Sequence, residues 1–345
     1  MARGRKLRIA MLPCPAFGHL IPYLQIAKRL AQKGHHISFI STPRNIQRLP
    51  RVPQHLAPLI DLVSFPLPPV EGLPSDAEAG SDIPAEDLYI LVRAYDGLQK
   101  SIAEFLETSN LDWVFYDIYI SWLPQIAARF GIRRAFYTAI HTCSLCMCGP
   151  SSGRIEDLAK WPPSEDLTRP PKWIPFPSKA KFQQHEVNAI LDIITASEEM
   201  SSNRLLASIK GCDVIVLRSC METEDAYLKI IGEIHGKPVI PLGLMPPSIQ
   251  ESEEDNTWKS IKEWLDKNEK HSVVYIAMGS QYLYLTQENF TELALGLELS
   301  KLPFFWVAGS SKNHSFHLPD GFEERTKHHG LICTTWAPQI KNISS

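Results

Sequence analysis

The sequence predicts an α/β protein of two domains in tandem, each built on a doubly wound parallel sheet. Short apolar runs of strand length alternate along the chain with segments whose apolar residues recur every three or four positions, which is typical of strands and helices around a parallel sheet. A segment rich in proline, serine and acidic residues, 245–258, interrupts this alternation and has the composition of a linker. We therefore expect a first domain over 1–244 and a second, incomplete domain over 259–345.

The first βαβ unit shows the pattern most clearly. An apolar run at 7–12 precedes a segment, 20–31, whose apolar residues follow the helical period, and 36–41 has the composition of a second strand. A right-handed crossover makes two such strands parallel, and ligands of parallel sheets lie beyond the carboxyl ends of the strands. Gly18 and His19 lie at that end, where the predicted helix begins. We therefore expect this turn to belong to a functional site.

The remaining segments continue the alternation. In the first domain, strands are expected at 59–65, 112–117, 134–138 and 213–218, and helices at 87–106, 121–130 and 196–209. In the second domain, strands are expected at 272–278, 304–307 and 331–336, and helices at 260–267 and 289–300. Prolines concentrated at 50–84, around the strand at 59–65, and at 148–177 predict loops in both places.

The composition excludes several classes of function. The 345 residues are 44% apolar and 21% charged, with a formal net charge of −3, which is ordinary for a globular protein and gives no bulk attraction to nucleic acid or to a membrane surface. No apolar run reaches the roughly 18 residues that suggest a membrane-spanning helix. We therefore expect a cytoplasmic protein with no nucleic-acid partner and no membrane span.

Three of the seven cysteines lie close together, at Cys143, Cys146 and Cys148. A structural zinc site needs four ligands, and the sequence offers no second cysteine cluster or His-x-His pair to complete the set. The neighbouring residues are apolar, which favours buried free thiols. We therefore expect no metal site here.

His19 and Asp117 are the first candidates for catalysis. Each follows a predicted parallel strand, so a doubly wound sheet can bring both into one crevice. The helix N-terminus disfavours the imidazolium form of His19, whereas a nearby aspartate orients the ring and stabilises its charge. Together the two side chains would form a general base that removes a proton from a hydroxyl group. The alternative is a structural histidine and an aspartate that caps the next turn, and spacing alone does not decide between the two.

Two segments of the second domain are candidates for binding a nucleotide. Ser280, after a predicted strand, offers its hydroxyl and backbone N–H groups to a diphosphate. Trp336 can stack on a flat base, and Gln339 can hydrogen-bond a sugar or a base edge. The alternatives are an ordinary turn at Ser280 and a core tryptophan at Trp336. The motifs of dinucleotide-binding enzymes and of P-loop NTPases do not occur.

Taken together, these segments resemble the plant UDP-sugar-dependent glycosyltransferases of the inverting, two-Rossmann-domain (GT-B) type. The run from Met11 through Gly18-His19 to Pro22 resembles the N-terminal catalytic loop of that family. Further motifs resemble its sugar-on-sugar branch, which extends a glycoside already on a flavonoid, terpenoid or saponin, often with rhamnose or glucose. These motifs are Ser41–Ile46, Leu217–Cys220, Lys237–Val239 and Gly296–Trp306.

The resemblance implies a role for the residues of the first domain, which would bind the acceptor. His19 would deprotonate the acceptor hydroxyl, Asp117 would support His19, and Gly18 would border the donor sugar. The loops at 66–85 and 149–184 would shape the acceptor pocket. A UDP-sugar would be the co-substrate, and neither a metal nor another cofactor would be needed.

The resemblance also implies a donor site in the second domain. Ser280 would contact the diphosphate, Trp336 would stack on uracil, and Ala337 and Gln339 fall in the same donor box. The box of the family continues through a histidine, a His-Cys-Gly-Trp-Asn-Ser run, a glutamate and an Asp-Gln pair, whereas here only residues 340–345 follow.

Two expectations follow from this departure. The chain would be truncated inside the donor box, and as a truncated chain it would bind UDP-sugar weakly and turn over little. Gln281 also stands where an acidic residue is common in this branch. The alternative function is that of a non-catalytic remnant that binds a glycoside without transferring sugar.

Overall fold

The computed structural model describes residues 5–149, 168–188, 202–246, 256–277, 286–308 and 317–334. The chain divides into two units. The first unit comprises Met1–Gly80 and Glu86–Met245, and the second comprises Ser81–Ala85 and Pro246–Ser345.

The first unit is built on a parallel sheet, and seven strands of it lie in the described residues. They are β1 (Arg8–Leu12), β2 (His36–Ser41), β3 (Ile60–Ser64), β4 (Trp113–Tyr116), β5 (Arg133–Thr138), β6 (Val214–Leu217) and β7 (Val239–Pro241). Their order in the sheet is β3-β2-β1-β4-β5-β6-β7. The strand order changes direction between β1 and β4, which is where doubly wound sheets open a crevice for ligands.

The α-helices of the first unit that lie in the described residues link these strands. They are α1 (Phe17–Gln32), α2 (Pro43–Arg48), α3 (Leu88–Asp96), α4 (Gln99–Thr108), α5 (Leu123–Arg129), α6 (Thr142–Met147), α7 (Ser202–Gly211) and α8 (Met221–His235). The central strand β1 is buried from Ile9 to Leu12, because strands covered on both faces by helices carry continuous apolar runs. The predicted α/β class with parallel sheets is confirmed.

The prediction of a single helix at 87–106 is wrong, because the structure has two helices, α3 and α4, in this range. They are separated at Gly97. A Cβ atom at this glycine would lie 2.5 Å from Cγ of Pro68, so only a residue without a side chain allows this close approach. The apolar period continues across the break, which is why the sequence pattern does not reveal it.

The described helices that are absent from the sequence prediction include α2 and α8. Helix α2 is only six residues long and has Pro43 at its first position, so it is too short to show a period. Helix α8 is interrupted at Glu224, whose φ and ψ angles of −133° and 31° are not helical. Both helices depend on tertiary contacts more than on local pattern.

The second unit contains a parallel sheet whose described strands are β8 (Val274–Ala277), β9 (Phe304–Val307) and β10 (Gly330–Cys333), in the order β10-β9-β8. Its described helices are α9 (Asn256–Leu265), α10 (Gln287–Ser300) and α11 (Phe322–Thr326). Helix α9 begins inside the range 245–258 that the sequence predicts as linker. Helix α10 begins with a capping box in which Thr286 and Asn289 bind each other's backbone N–H groups.

Replacing Trp306 with alanine should destabilise the second unit by about 3–5 kcal/mol, the usual cost of removing a large core aromatic. Trp306 is fully buried in β9, and its ring centroid lies 4.6 Å from that of Phe290. Hydrogen exchange of the β9 amides would measure the loss locally. Leu299→Ala, at a side chain that is 78% exposed, is the control and should change this free energy by no more than about 0.5 kcal/mol. Equal losses would contradict the assignment of Trp306 to the core.

Candidate active site

The candidate catalytic residues lie at the carboxyl ends of two neighbouring strands. Leu12 of β1 pairs with Tyr116 of β4 in parallel register, so the chain leaves the sheet at the same level in both strands. Asp117 directly follows β4, and His19 lies in the first turn of α1, beyond β1. The register therefore brings together two residues that are 98 positions apart in the chain.

His19 and Asp117 form a hydrogen-bonded pair. The distance between Nδ1 of His19 and Oδ2 of Asp117 is 2.7 Å. The aspartate side chain is fully buried, whereas the histidine side chain is 17% exposed. Since Asp117 occupies Nδ1, the other ring nitrogen, Nε2, remains available to exchange a proton. The partly exposed ring and its buried carboxylate have the arrangement of a general base with an orienting group.

Backbone donors hold the carboxylate of Asp117 in place. The N–H group of Cys14 donates to Oδ2 over 3.2 Å, and the N–H group of Ile118 donates to Oδ1 over 2.8 Å. A buried carboxylate is costly unless such donors satisfy it. The turn at Cys14 therefore serves the site through its backbone, which sequence reasoning missed because a backbone donor leaves no residue signature.

The surroundings of His19 act on its pKa in opposite directions. Burial lowers the pKa of the imidazole, whereas the charge of Asp117 and the hydrogen bond to it raise it, and the net result is a pKa above the usual value. The carboxylate therefore outweighs burial. A base must be neutral to accept a proton, so base catalysis by His19 should increase as pH rises through this raised pKa.

Other titratable groups near Asp117 are kept neutral. Burial, followed by the charge of Asp117, raises the pKa of the Cys14 thiol and of the Tyr23 hydroxyl. The Tyr23 hydroxyl donates to the carbonyl oxygen of Tyr137 over 2.8 Å. Burial likewise raises the pKa of Tyr119, with further contributions from Cys14 and Asp117. In the neighbourhood of His19, the charge is therefore concentrated on the dyad itself.

The structure places Gly18 next to the dyad but leaves the predicted donor residues undescribed. Gly18 is exposed in the first turn of α1, and a Cβ atom there would meet open space. The four remaining candidates lie outside the described residues, as does Gln281. These four are Ser280, Trp336, Ala337 and Gln339.

The cysteine cluster lies in and just after α6. Cys146 is buried, but Cys143 and Cys148 are only partly buried, so the expectation of three buried thiols is right for Cys146 alone. Within the described ranges, no group of three or more histidine, cysteine, aspartate or glutamate residues could hold a metal ion. In this part of the chain, no helix is both long enough and apolar enough to cross a membrane.

Solved structures share this fold. Arabidopsis thaliana UGT89C1 complexed with UDP-L-rhamnose has a TM-score of 0.69 at 19% identity, and the match covers 98% of this chain and 72% of that one. Glycyrrhiza uralensis UGT73P12 complexed with glycyrrhetinic acid 3-O-monoglucuronide has a TM-score of 0.70 at 21% identity, with 98% and 70% covered. At these identities the likeness shows the fold, which is the GT-B type.

Curated relatives show the family, although no protein-family model matches the chain. UDP-glycosyltransferase 91D1 of Stevia rebaudiana is 44% identical over 345 residues, which cover 99% of this chain and 70% of the relative. Soyasaponin III rhamnosyltransferase of Glycine max is 42% identical over 350 residues, which cover 99% and 73%. The chain therefore belongs to the plant UDP-glycosyltransferases, enzymes that transfer a sugar from a UDP-sugar to a small molecule.

Proposed function

We propose that this chain transfers rhamnose or glucose from a UDP-sugar to a hydroxyl group of a small-molecule glycoside, such as a flavonoid glycoside, a terpenoid glycoside or a saponin, extending the sugar that the acceptor already carries. The observation that carries the proposal is the 2.7 Å contact between His19 and Asp117 at the carboxyl ends of β1 and β4. The soybean relative, named for rhamnosyl transfer to a soyasaponin, supports a sugar-on-sugar reaction. The glucuronide held by the Glycyrrhiza structure supports a glycoside as acceptor.

In the proposed reaction, His19 acts as the base and Asp117 as its support. Nε2 of His19 takes the proton of the acceptor hydroxyl while the oxygen attacks the anomeric carbon of the donor sugar. The bond from that carbon to the UDP oxygen breaks, and UDP leaves with the electron pair. Attack from the face opposite UDP inverts the anomeric configuration. Asp117 stabilises the imidazolium that forms.

The proposed donor site uses the residues that the family motifs identify. Ser280 contacts the diphosphate, Trp336 stacks on uracil, Ala337 and Gln339 fall in the same donor box, and Gly18 borders the donor sugar. The UDP-sugar is a co-substrate, and protein dipoles and side chains hold its diphosphate without a metal or another cofactor. This assignment rests on the motifs in the sequence.

In the proposed reaction, each of the two domains binds a different substrate. Residues 1–244 bind the acceptor and contribute the base, residues 245–258 link the domains, and residues 259–345 bind the UDP-sugar. The dyad supports the first part of this division, because both of its members belong to the first unit.

The stereochemistry of the product tests the proposed reaction. The chain would be incubated with UDP-glucose or UDP-rhamnose and with a flavonol glucoside, a terpenoid glucoside or a saponin. NMR would identify the sugar that gains the new bond and its anomeric configuration. Transfer to the sugar of the acceptor with inversion is expected. Retention of configuration, or transfer only to acceptors without a sugar, would overturn the proposal.

UDP should stabilise the chain against heat. A ligand that binds only the folded state adds about 2.7 kcal/mol at a hundred times its dissociation constant, so Tm should rise with UDP concentration. Trp336→Ala should reduce this shift, because stacking on a base contributes about 1–3 kcal/mol, whereas Phe130→Ala, in the first unit, is the control and should leave it unchanged. A shift with the flavonol glucoside but none with UDP would instead favour a glycoside-binding protein without transfer activity.

A further inference from the structure

The turn that follows Asp117 has an unusual backbone. Tyr119 has a φ angle of +64°, in the left-handed region that an aromatic residue rarely adopts. Such a conformation persists only where surrounding contacts hold it, and it is often found close to functional sites. The contacts that hold this turn therefore also influence the position of Asp117, which directly precedes it.

One ion pair binds both ends of the turn. Asp96, the last residue of α3, and Arg204, in α7, form a two-pronged salt bridge with distances of 2.7 Å from Nη1 to Oδ2 and 2.5 Å from Nη2 to Oδ1. Nη2 of Arg204 also donates to the carbonyl oxygen of Tyr119 over 2.7 Å. Nε1 of Trp122 donates to Oδ1 of Asp96 over 2.9 Å. We call this pair the Asp96–Arg204 clasp.

The clasp is partly shielded from water. The side chains of Arg204 and Asp96 are 15% and 25% exposed, so solvent screens their charges less than those of a surface pair. Paired, charge-assisted hydrogen bonds are also geometrically specific. Since α3 and α7 are far apart in the chain, the clasp fixes the turn from two separate elements.

The turn is connected directly to the carboxylate of the dyad. Ile118, between Asp117 and Tyr119, donates its N–H group to Oδ1 of Asp117 over 2.8 Å. Oδ2 of the same carboxylate contacts His19. A change in the backbone of the turn would therefore rotate the carboxylate relative to the imidazole.

We propose that Asp96 and Arg204 are positioning residues of the sugar-transfer reaction, which hold the turn at 119–122 so that Asp117 stays aligned with His19. Neither residue touches the dyad itself. The inference rests on the proposed function, in which His19 is the base. In this arrangement, the Asp96–Arg204 clasp keeps that base aligned with its carboxylate.

The test is Arg204→Met, which keeps an unbranched side chain and removes the charge. NMR titration of the His19 ring would measure its pKa without any need for activity, and steady-state kinetics would give kcat and KM. Loosening of the contact with Asp117 should lower the pKa of His19. The value of kcat should fall about tenfold to a hundredfold, as expected for a small misplacement of a catalytic group, while KM for the UDP-sugar stays within about twofold because no donor contact is removed.

The matched control is Arg134→Met. Arg134 and Asp213 also form a two-pronged pair in the first unit, with side chains 27% and 36% exposed, but they lie at the amino ends of β5 and β6, on the opposite edge of the sheet. This variant should leave the pKa of His19 and kcat unchanged. Arg204→Lys, which keeps the charge but lacks the fork of donors, should recover part of the activity.

The outcomes separate the two proposals. If Arg204→Met matches Arg134→Met in both the pKa of His19 and kcat, the clasp is only structural and the inference is overturned. If His19→Ala keeps full activity, the proposed function fails, whatever the titration shows. Should Arg204→Met not fold, Asp96→Asn takes its place, because it keeps the shape of the side chain and weakens the ion pair.

Discussion

His19→Ala should lower kcat for sugar transfer by about 10²–10⁴-fold, the usual contribution of a positioned general base. The imidazole is the group that the structure presents for proton removal, with Nδ1 held by Asp117 at 2.7 Å and part of the ring exposed. Initial rates with saturating UDP-sugar and acceptor would measure the loss. KM for the UDP-sugar should change little, because the base acts mainly in the transition state.

His36→Ala is the matched control for this variant. His36 is exposed at the start of β2, which is the amino end of the strand, opposite the edge that carries His19. Its replacement should leave kcat within about twofold of the parent, as expected for a surface residue away from the site. A comparable loss in both variants would show that the effect of His19→Ala is not specific to the dyad.

Asp117→Asn should reduce kcat by a similar factor of about 10²–10⁴. Asparagine keeps the shape of the side chain but lacks the charge that stabilises the imidazolium. Its NH2 group would also face a backbone donor, since the N–H groups of Cys14 and Ile118 both point at this carboxylate. We therefore expect a loss of both charge and orientation, measured as kcat under the conditions used for His19→Ala.

The same variant should shift the pH dependence in a defined direction. In the parent, the carboxylate outweighs burial and raises the pKa of His19, so kcat/KM should rise with pH through that raised value. Without the charge, burial acts unopposed and lowers the pKa, and the rising limb should move to lower pH while its plateau falls. A rising limb that stays in place would mean that a group other than His19 titrates.

The pair also contributes to stability with a defined sign. Because the pKa of His19 is raised in the folded state, the contribution is fully present below the pKa of an unfolded histidine. It is lost as pH rises through the folded value. A comparison of the unfolding free energy of the parent and Asp117→Asn across this range would measure it.

The sequence alone determined the class of fold and the place of the candidate site. The apolar run before Gly18 and the helical period after it predict the unit β1–α1–β2, because burial of regular elements imposes those periods. The rule that parallel sheets bind ligands beyond their carboxyl ends then identified His19 and Asp117. Local pattern was sufficient for these inferences.

Tertiary structure alone decided whether the two residues meet and how. The 2.7 Å contact joins residues 98 positions apart, and its effect on the pKa of His19 is a balance between burial and charge that depends on the packing around it. The break at Gly97 depends on Pro68, and the clasp on α3 and α7 meeting at one turn. Sequence periods report which face of an element is buried, but not which side chains of other elements lie against it.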